Sequence, residues 1–369
     1  MTQATRFQRL LLPGFAFNAF VIGGGYATGR ELVEFFLPAG PWGGLAAIGF
    51  ATAIWSLVCA LTFLYARVTG SGDYRRFFQN LLGPGWVVFE AVYLLLLVLV
   101  LAVFGAATGA MGATLFGWPT LAGTLVLVVA IGAFAGLGTA SVEWLFKYVT
   151  FFLYVVYAVF VGYALVRFGD RIQANFAAAS GTAGWFPAGL TYASYNVLGA
   201  VVILPVLRHL QSNRDAVVAG LLAGPLAMIP AFFFFACMIG WYPVIGAETL
   251  PSEFMLRQLG LPLLYGAFQL MIFLAILDTG VGVVHAFNER VSNFVAERRG
   301  HGITVAGRLA IAMALLVGSV FVADRFGLVT LIARGYRASA WIVLAIFVLP
   351  LLTIGAWRLV KSHDEPARA

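Results

Sequence analysis

Charged side chains are scarce in this sequence. Asp, Glu, Lys and Arg make up 10% of its 369 residues, whereas soluble domains carry about 25%. Hydrophobic residues make up 62%, and the mean hydropathy is +0.96. This balance is too apolar for a soluble helical protein with a large core, so it excludes that class and indicates a membrane protein.

Cysteine and catalytic sequence motifs are also nearly absent. The two cysteines, Cys59 and Cys237, lie in the middle of apolar runs, which predicts small apolar side chains rather than a disulfide. The sequence contains no HExxH zinc motif, no GxSxG nucleophile elbow and no phosphate-binding loop. We therefore expect neither an enzyme nor a cofactor other than a coupling ion.

Long apolar runs are what the sequence has in abundance. Each is long enough to cross a bilayer, and the runs are too long and unbroken for barrel strands. They predict an all-α polytopic membrane protein that forms a single transmembrane domain over residues 1–369. Ten such runs lie at residues 10–37, 42–66, 86–115, 119–137, 142–166, 186–207, 215–240, 263–289, 303–323 and 338–358.

Basic residues are unevenly divided between the two sides of the predicted membrane. With the N-terminus inside and ten spans, the inner segments hold fifteen Lys and Arg residues and the outer segments hold six. By the positive-inside rule, both termini are expected in the cytoplasm. Arg334 and Arg337 fit either a short surface helix or a longer tenth span. The net charge of +7 follows from this topology, so no nucleic-acid partner is expected.

The first apolar run contains a stretch that disfavours a continuous helix: FVIGGGYATGRELVEFF, residues 20–36. Gly23, Gly24 and Gly25 each cost a helix about 1 kcal/mol relative to Ala. Lipid cannot satisfy an unwound backbone, so a break at this depth is tolerated where it lines a cavity within the protein. Close helix packing is the alternative explanation, but the charged residues that follow favour a binding site.

A second interruption comes five runs later, in GLTYASYNVLGAVVILPVL, residues 189–207. Its centre, YASYN, carries four polar side chains in the middle of the run. Interrupted segments at matching places in two halves are typical of inverted-repeat transporters. We therefore predict two repeats, at about 10–166 and 186–358, whose interrupted segments face each other.

These two stretches, together with ILDTGVGVVHAFNERV at residues 276–291, resemble the YkvI-like family of bacterial membrane proteins. That family belongs to the amino acid–polyamine–organocation superfamily. The resemblance covers essentially the whole chain and implies a LeuT-type fold, with ten transmembrane helices in a five-plus-five inverted repeat and with helices 1 and 6 broken. It also implies solute transport and a location in the bacterial cytoplasmic membrane.

The resemblance further implies which residues bind the solute. In transporters of this fold, backbone and side chains at the two breaks surround the substrate. Tyrosine rings at such breaks are suited to a cationic group and their hydroxyls to a polar one. The matching substrate-binding positions are Gly23, Gly24, Gly25, Tyr26, Ala27 and Thr28 in the first run, and Tyr192, Ser194, Tyr195 and Asn196 in the sixth.

Asp278 stands near the middle of the eighth run, where a charge is costly. The resemblance implies a sodium site at Asp278 and Thr279. Hydroxyl residues are usual at both positions in the family, so Asp278 departs from the pattern and leaves the coupling ion open. Four roles remain: ligation of Na⁺ together with Thr279, proton transfer, pairing with a cationic solute, or a hydrogen-bonded structural acid.

Other charged residues near the breaks each have two interpretations. Lys147 loosely matches a lysine that replaces sodium in some proton-coupled relatives; alternatively, it snorkels to the cytoplasmic surface. Arg30 and Glu31 follow the first break and are expected to gate the outer entrance, and Arg30 is also suited to binding a carboxylate.

These patterns predict a secondary active transporter that alternates access around a site between the two breaks. The expected cargo is a small amino-acid-like or amine-bearing solute, coupled to H⁺ or Na⁺. A nucleobase or another neutral solute is the alternative within transport. A non-transporting receptor with the same fold, or a channel, is the alternative outside it. The expected partners are the solute and the lipid bilayer.

The glycine-rich stretch gives a first testable prediction. Leucine at position 24 favours continuous helix and fills space that the exposed backbone needs. We expect Gly24→Leu to abolish ligand binding while the protein stays folded. Thermal-shift measurements with amino acids, amines and nucleobases check this, since a ligand at 100 times its Kd stabilises the wild type by about 2.7 kcal/mol. Ligand-induced shifts equal to those of the wild type would contradict it.

Overall fold

The computed structural model describes residues 4–137, 139–299 and 301–364. Within these ranges the chain is almost entirely helical and contains no β-strand. In apolar surroundings a backbone N–H must find its partner within the same segment, and a helix meets that requirement. The all-α class predicted from the apolar runs is therefore confirmed.

The described residues of the first half form helices α1 to α8. One of them, α5, is amphipathic: Phe77, Phe78 and Leu81 are buried, and the Asp73 side chain caps its N-terminus by accepting from the Arg76 amide at 2.9 Å. The bounds are α1 Leu12–Val21, α2 Gly24–Ala27, α3 Arg30–Phe35, α4 Gly40–Val68, α5 Tyr74–Leu82, α6 Trp86–Phe116, α7 Thr120–Leu137 and α8 Thr139–Ala178.

The described residues of the second half form α9 to α16. Helix α14 is kinked at Gly327, where φ of 68° and ψ of 167° leave helical geometry. From Leu328 onward, π-helical turns at Leu331–Tyr336, Leu344–Val348 and Leu351–Gly355 connect the end of α14, α15 and α16 into the last helical stretch. The bounds are α9 Trp185–Asn196, α10 Gly199–Val202, α11 Asn213–Ile239, α12 Pro251–Leu259, α13 Pro262–Arg299, α14 Val305–Thr330, α15 Arg337–Val343 and α16 Ala356–Asp364.

Among the described residues, six helical stretches are long and apolar enough to cross a membrane, which supports a membrane-embedded protein. Each of the ten predicted runs coincides for most of its length with helix. The first and sixth runs are each divided into short helices, so the count of ten crossings stays a prediction. The six stretches are Arg30–Val68, Tyr74–Phe116, Phe151–Ala178, Asn213–Ile239, Pro262–Ser292 and Val305–Lys361.

Helices α4 and α11 pack with close backbone contact. An added Cβ at Gly220 would lie 2.3 Å from the Ala60 backbone, and one at Gly224 would lie 2.3 Å from the Ser56 hydroxyl. Small residues permit this approach between membrane helices. The same two helices carry the two cysteines, whose thiols are buried and free, as predicted.

The segment before α1 is fixed to the start of α11. The Arg9 guanidinium donates to both carboxylate oxygens of Asp215, at 2.7 and 2.9 Å. The same carboxylate forms a capping box with Ser212 at the N-terminus of α11. Two parallel charge-assisted bonds set the orientation as well as the distance, so α1 is held in a defined position beside α11.

The contact between α4 and α11 predicts that Gly220→Leu is destabilising, because a new side chain would collide with backbone that cannot easily move. Overpacking of this kind costs about 1–3 kcal/mol or more. Thermal unfolding of the purified protein at one scan rate measures the effect. Gly162→Leu is the matched control, since space is open around that helical glycine. Equal unfolding temperatures for the two variants would contradict the prediction.

Candidate functional site

The helix of the first run is interrupted at the glycine-rich stretch. Helix α1 ends at Val21, Ile22 leaves helical geometry with ψ of 79°, and α2 forms one turn before α3 begins at Arg30. Gly29 precedes α3 with φ of 80°, a left-handed conformation that glycine adopts readily. An added Cβ at Gly29 would also lie 2.7 Å from the Phe234 ring, so both backbone and packing require glycine here.

The sixth run is interrupted as well. Helix α9 ends at Asn196, and α10 begins at Gly199 after a single turn. An added Cβ at Gly199 would lie 2.4 Å from the Phe20 ring and 3.0 Å from the Phe17 ring, both in α1. The two interrupted segments therefore pack directly against each other.

A cavity of about 410 Å³ lies between these two segments, α6, α13 and the last helical stretch. It extends from Glu31 and Tyr336 toward Ala16, Val202 and Ala286. Those last three residues lie on the side of the protein that carries the N-terminus of α1. The cavity therefore extends from the two interrupted segments toward one side of the protein only.

Several of the predicted site residues meet at this cavity. They come from three segments that are far apart in sequence: the first run, the sixth run and the eighth run. Their convergence is the arrangement that the predicted site requires. The members are Gly23, Glu31, Tyr195, Asn196, Asp278 and Thr279.

Glu31 forms part of the cavity wall and is 3% exposed. Its Oε2 accepts a hydrogen bond of 2.6 Å from the Tyr195 hydroxyl, which joins the first segment to the sixth. The Tyr195 ring stacks on Tyr336, with 4.7 Å between ring centroids. Glu31, predicted as a gate, is therefore a wall residue of the cavity and links three of its walls.

Asp278 borders the main cavity and also a smaller one of about 30 Å³. Its Oδ1 has no hydrogen-bond partner among the described residues. The smaller cavity is also lined by Asn18 and Thr279, and a space of this size holds one water molecule or a small cation. The Thr279 hydroxyl donates to the Ala275 carbonyl at 2.9 Å, which leaves its lone pairs to ligate a cation.

The charged side chains that line the cavity are all acidic. Two carboxylates, Glu31 and Asp278, line it, whereas no Lys, Arg or His from the described residues does. Most of the remaining wall is aliphatic, and five aromatic side chains, including Tyr93 and Phe104, complete it. Within the described residues no group of three or more His, Cys, Asp or Glu is placed to hold a metal ion. The arrangement is therefore suited to an organic cation or a single small ion.

Other predicted substrate-binding residues do not line this cavity. The Thr28 hydroxyl donates to the Gly25 carbonyl at 3.0 Å, and the Ser194 hydroxyl donates to the Leu190 carbonyl at 2.7 Å. These hydroxyls bond to carbonyls in their own segments instead of facing the cavity.

The remaining predicted residues do not line this cavity, or their side chains lie outside the part of the chain that the structure describes. Tyr26 and Tyr192 are buried, and their hydroxyls have no partner among the described residues. Ala27 is buried beside Tyr26. Gly24 belongs to the short helix α2, and Lys147 to α8, but the Lys147 side chain lies outside the part of the chain that the structure describes.

Arg30 closes the face opposite the cavity. Its guanidinium donates to the carbonyl oxygens of Gly246 at 3.1 Å and Glu248 at 2.8 Å, and to the Glu34 carboxylate at 3.1 Å. Arg337 donates to the same carboxylate at 3.3 Å. These bonds tie the first segment to the loop before α12 and to the last helical stretch. Arg30 thus occupies a closing position and does not line the cavity.

Sequence reasoning missed two tyrosines of the cavity, Tyr93 and Tyr336. Tyr336 ends a π-helical turn between Arg334 and Arg337, residues that were considered only for topology. π-Helical turns are frequent at functional sites, but the sequence gives no clear sign of one. Tyr93 lies in a continuous apolar run of α6, where a phenol resembles ordinary packing.

The closing contacts of Arg30 predict that Arg30→Met loosens this face. Each lost charge-assisted hydrogen bond costs about 1.5–3 kcal/mol, so local opening should rise about tenfold or more. A Ser252→Cys reporter measures it, since Ser252 is fully buried and its N–H donates to the Thr28 carbonyl at 3.0 Å. Maleimide should label the reporter faster in Arg30→Met.

The control for this experiment is Arg325→Met, which removes an exposed arginine from α14. It should leave the labelling rate of the reporter unchanged. The native cysteines are both buried and should contribute little labelling. A reporter that reacts at the same rate with and without Arg30 would show that the arginine does not hold this face closed.

Comparison with known proteins adds no relative to this description. No model of a known protein family matches the chain. No curated protein matches it either. The resemblance to the YkvI-like family therefore stays a hypothesis that rests on the sequence motifs, and function has to be argued from the acidic cavity between the two interrupted segments.

Proposed function

We propose that this protein is a secondary active transporter of the bacterial cytoplasmic membrane, which moves a small amine-bearing or amino-acid-like solute by alternating access. In this proposal the chain crosses the bilayer ten times with both termini in the cytoplasm. Residues 10–166 and 186–358 form the two inverted repeats of a LeuT-type fold. The cavity between the interrupted segments is the solute site.

One observation carries the proposal: Glu31 and Asp278 line one cavity with no described basic side chain beside them. An unpaired carboxylate in low-dielectric surroundings is costly, so it favours binding of a cation or a proton. An amine of the solute can pair with one carboxylate and rest on the faces of Tyr195 or Tyr336. The other carboxylate is then available to the coupling ion.

Asp278 is the residue that we assign to coupling. It lies between the main cavity and the small one, so a charge bound there contacts both the solute site and the first segment. Na⁺ ligated by Asp278 and Thr279 fulfils this role, and so does a proton on Asp278 alone. The dependence of transport on each ion distinguishes the two.

The extension of the cavity toward one side of the protein supports the proposal of alternating access. The cavity is developed toward the N-terminal side of α1, while Arg30 and its partners close the opposite face. Exchange between this arrangement and its reverse requires the Arg30 contacts to open. Segments broken at mid-depth permit such rearrangement because their halves are not one rigid helix.

Transport by proteoliposomes tests the proposal. The purified full chain is reconstituted, and uptake of labelled amino acids, monoamines and diamines is measured with an imposed Na⁺ or H⁺ gradient. We expect saturable uptake and counterflow of an amine-bearing solute. Glu31→Gln and Asp278→Asn should each lower uptake at least tenfold, because each removes a charge that the solute or coupling ion needs.

Asp324→Asn is the matched control, since this exposed acid of α14 does not line the cavity, and its uptake should equal that of the wild type. Saturable binding without counterflow would favour a receptor. Uptake of a nucleobase that is indifferent to both carboxylate substitutions would favour the neutral-solute alternative. Either result overturns the proposal.

A further inference from the structure

The hydrogen-bonding groups that line the main cavity are mostly acceptors. The Tyr195 hydroxyl donates its hydrogen to the Glu31 carboxylate at 2.6 Å. The Thr279 hydroxyl donates to the Ala275 carbonyl at 2.9 Å. A hydroxyl that has donated keeps lone pairs, which can accept a hydrogen bond from a ligand. Together with the carboxylates of Glu31 and Asp278, these oxygens form a surface that is suited to a ligand with N–H donors.

The donors that remain at this wall carry no positive charge. Among the described residues they are the phenols of Tyr93 and Tyr336 and the side-chain amide of Asn196. The Asn196 amide nitrogen already donates to the Tyr192 carbonyl at 3.2 Å. Burying an ionised carboxylate is costly unless an opposite charge pairs with it, and a neutral phenol does not supply that charge. The described part of the wall therefore offers no ion-pair partner to a carboxylate of the solute.

Glu31 also fills the space beside the backbone of the first interruption. An added Cβ at Gly25 would lie 2.3 Å from Oε1 of Glu31 and 3.0 Å from its carboxyl carbon. The backbone N–H of Tyr26 donates to the same carboxylate. Interrupted membrane helices can present backbone N–H groups to a carboxylate of the solute, but here a carboxylate of the chain itself lies at that position. The solute therefore cannot place a carboxylate against this backbone.

Arg290 is a cation close to this wall, but its charge is compensated within the protein. The central carbon of its guanidinium lies 5.6 Å from the centroid of the Tyr93 ring and 4.8 Å from that of Tyr74. It forms an ion pair with Glu90 and does not line the cavity. Two tyrosine faces and a carboxylate thus surround the guanidinium, which leaves no uncompensated charge for a solute carboxylate.

The rest of the wall is suited to an apolar body. It consists largely of aliphatic side chains, such as Leu96, Val100 and Val283, with the ring of Phe104 beside them. The cavity volume of about 410 Å³ falls within the range of small-molecule sites. A molecule that combines an ammonium group with an apolar body therefore matches both parts of the wall.

We infer that the solute is an apolar-bodied amine without a carboxylate, and that Glu31 is the residue that excludes amino acids. In the proposed function Asp278 serves the coupling ion, so Glu31 compensates the charge of the ammonium group. A carboxylate on the solute would be repelled by both acids in surroundings of low dielectric constant. This inference rests on the proposed function, because it takes the cavity as the solute site, and it narrows the cargo to amines.

Competition binding tests the inference. The full chain in phospholipid nanodiscs is titrated with tritiated phenethylamine, and bound label is measured by scintillation proximity. Unlabelled L-phenylalaninol and L-phenylalanine then compete. Both carry a benzyl group and an ammonium group, but phenylalaninol has a neutral hydroxymethyl group in place of the carboxylate. We expect saturable phenethylamine binding, which phenylalaninol displaces at least tenfold more effectively than phenylalanine does, because it brings no second negative charge.

Glu31→Gln tests which residue excludes the carboxylate. It removes the negative charge and keeps an oxygen that can accept from the Tyr195 hydroxyl. We expect weaker phenethylamine binding and a preference for phenylalaninol over phenylalanine that falls at least tenfold. Asp324→Asn removes the charge of an exposed acid that does not line the cavity, and it should leave both quantities unchanged. Thermal unfolding verifies that each variant is folded, and the wild-type competition still tests the inference if Glu31→Gln does not fold.

Three outcomes would overturn the inference: no saturable phenethylamine binding, equal competition by phenylalanine and phenylalaninol, or a preference that Glu31→Gln leaves unchanged. Uptake by proteoliposomes separates these failures from failure of the proposed function. Saturable uptake and counterflow of phenylalanine would leave a transporter and overturn the inference alone. Amine-selective binding without counterflow would overturn transport and leave the exclusion of carboxylates from this cavity.

Discussion

Backbone hydrogen bonding in lipid is the constraint on which the rest of this structure depends. A chain with so few charged residues places most of its length where water is absent, and helices are then the way to pair N–H and C=O groups. The interruptions around Ile22–Gly29 and around Val197 forgo some of these bonds at depth. They are stable because they pack on each other, as the contact between Gly199 and the phenylalanines of α1 illustrates.

The same absence of water makes charge placement informative. Charges are matched on both sides of the protein: Arg30 and Arg337 share the Glu34 carboxylate on the closed face, and Arg9 is paired with Asp215 on the side that carries the N-terminus of α1. The central cavity lacks such matching: two carboxylates line it, and its other polar side chains among the described residues are neutral phenols, an amide and a threonine hydroxyl. A low-dielectric site that leaves negative charge uncompensated is complete only when a positive species enters it. That asymmetry is the physical basis of the proposed cargo.

Much of this could be predicted from the sequence, because it follows from local chemistry. Consecutive glycines and the polar centre of YASYN mark interruptions, and Asp278 is conspicuous in an apolar run. The set of side chains that meet at the cavity is harder to predict from the sequence. Thr28 and Ser194 look like ligands but bond to carbonyls of their own segments, a choice set by local backbone geometry. Tyr336 reaches the site only through a π-helical turn and tertiary packing, which no local pattern encodes.

The hydrogen-bond partners of Arg30 affect which sequence changes the loop before α12 tolerates. Two of its partners are backbone carbonyl oxygens, at positions 246 and 248, rather than side chains of the loop. A carbonyl is present whatever side chain the residue carries, and it does not change its charge with pH. The exposed positions of the loop before α12, such as Val244, can therefore change side chain without loss of these two bonds, whereas Ile245 and Leu250 are buried and constrained by packing. Those exposed positions are free to adapt to what approaches from that face, independently of the contacts that Arg30 makes.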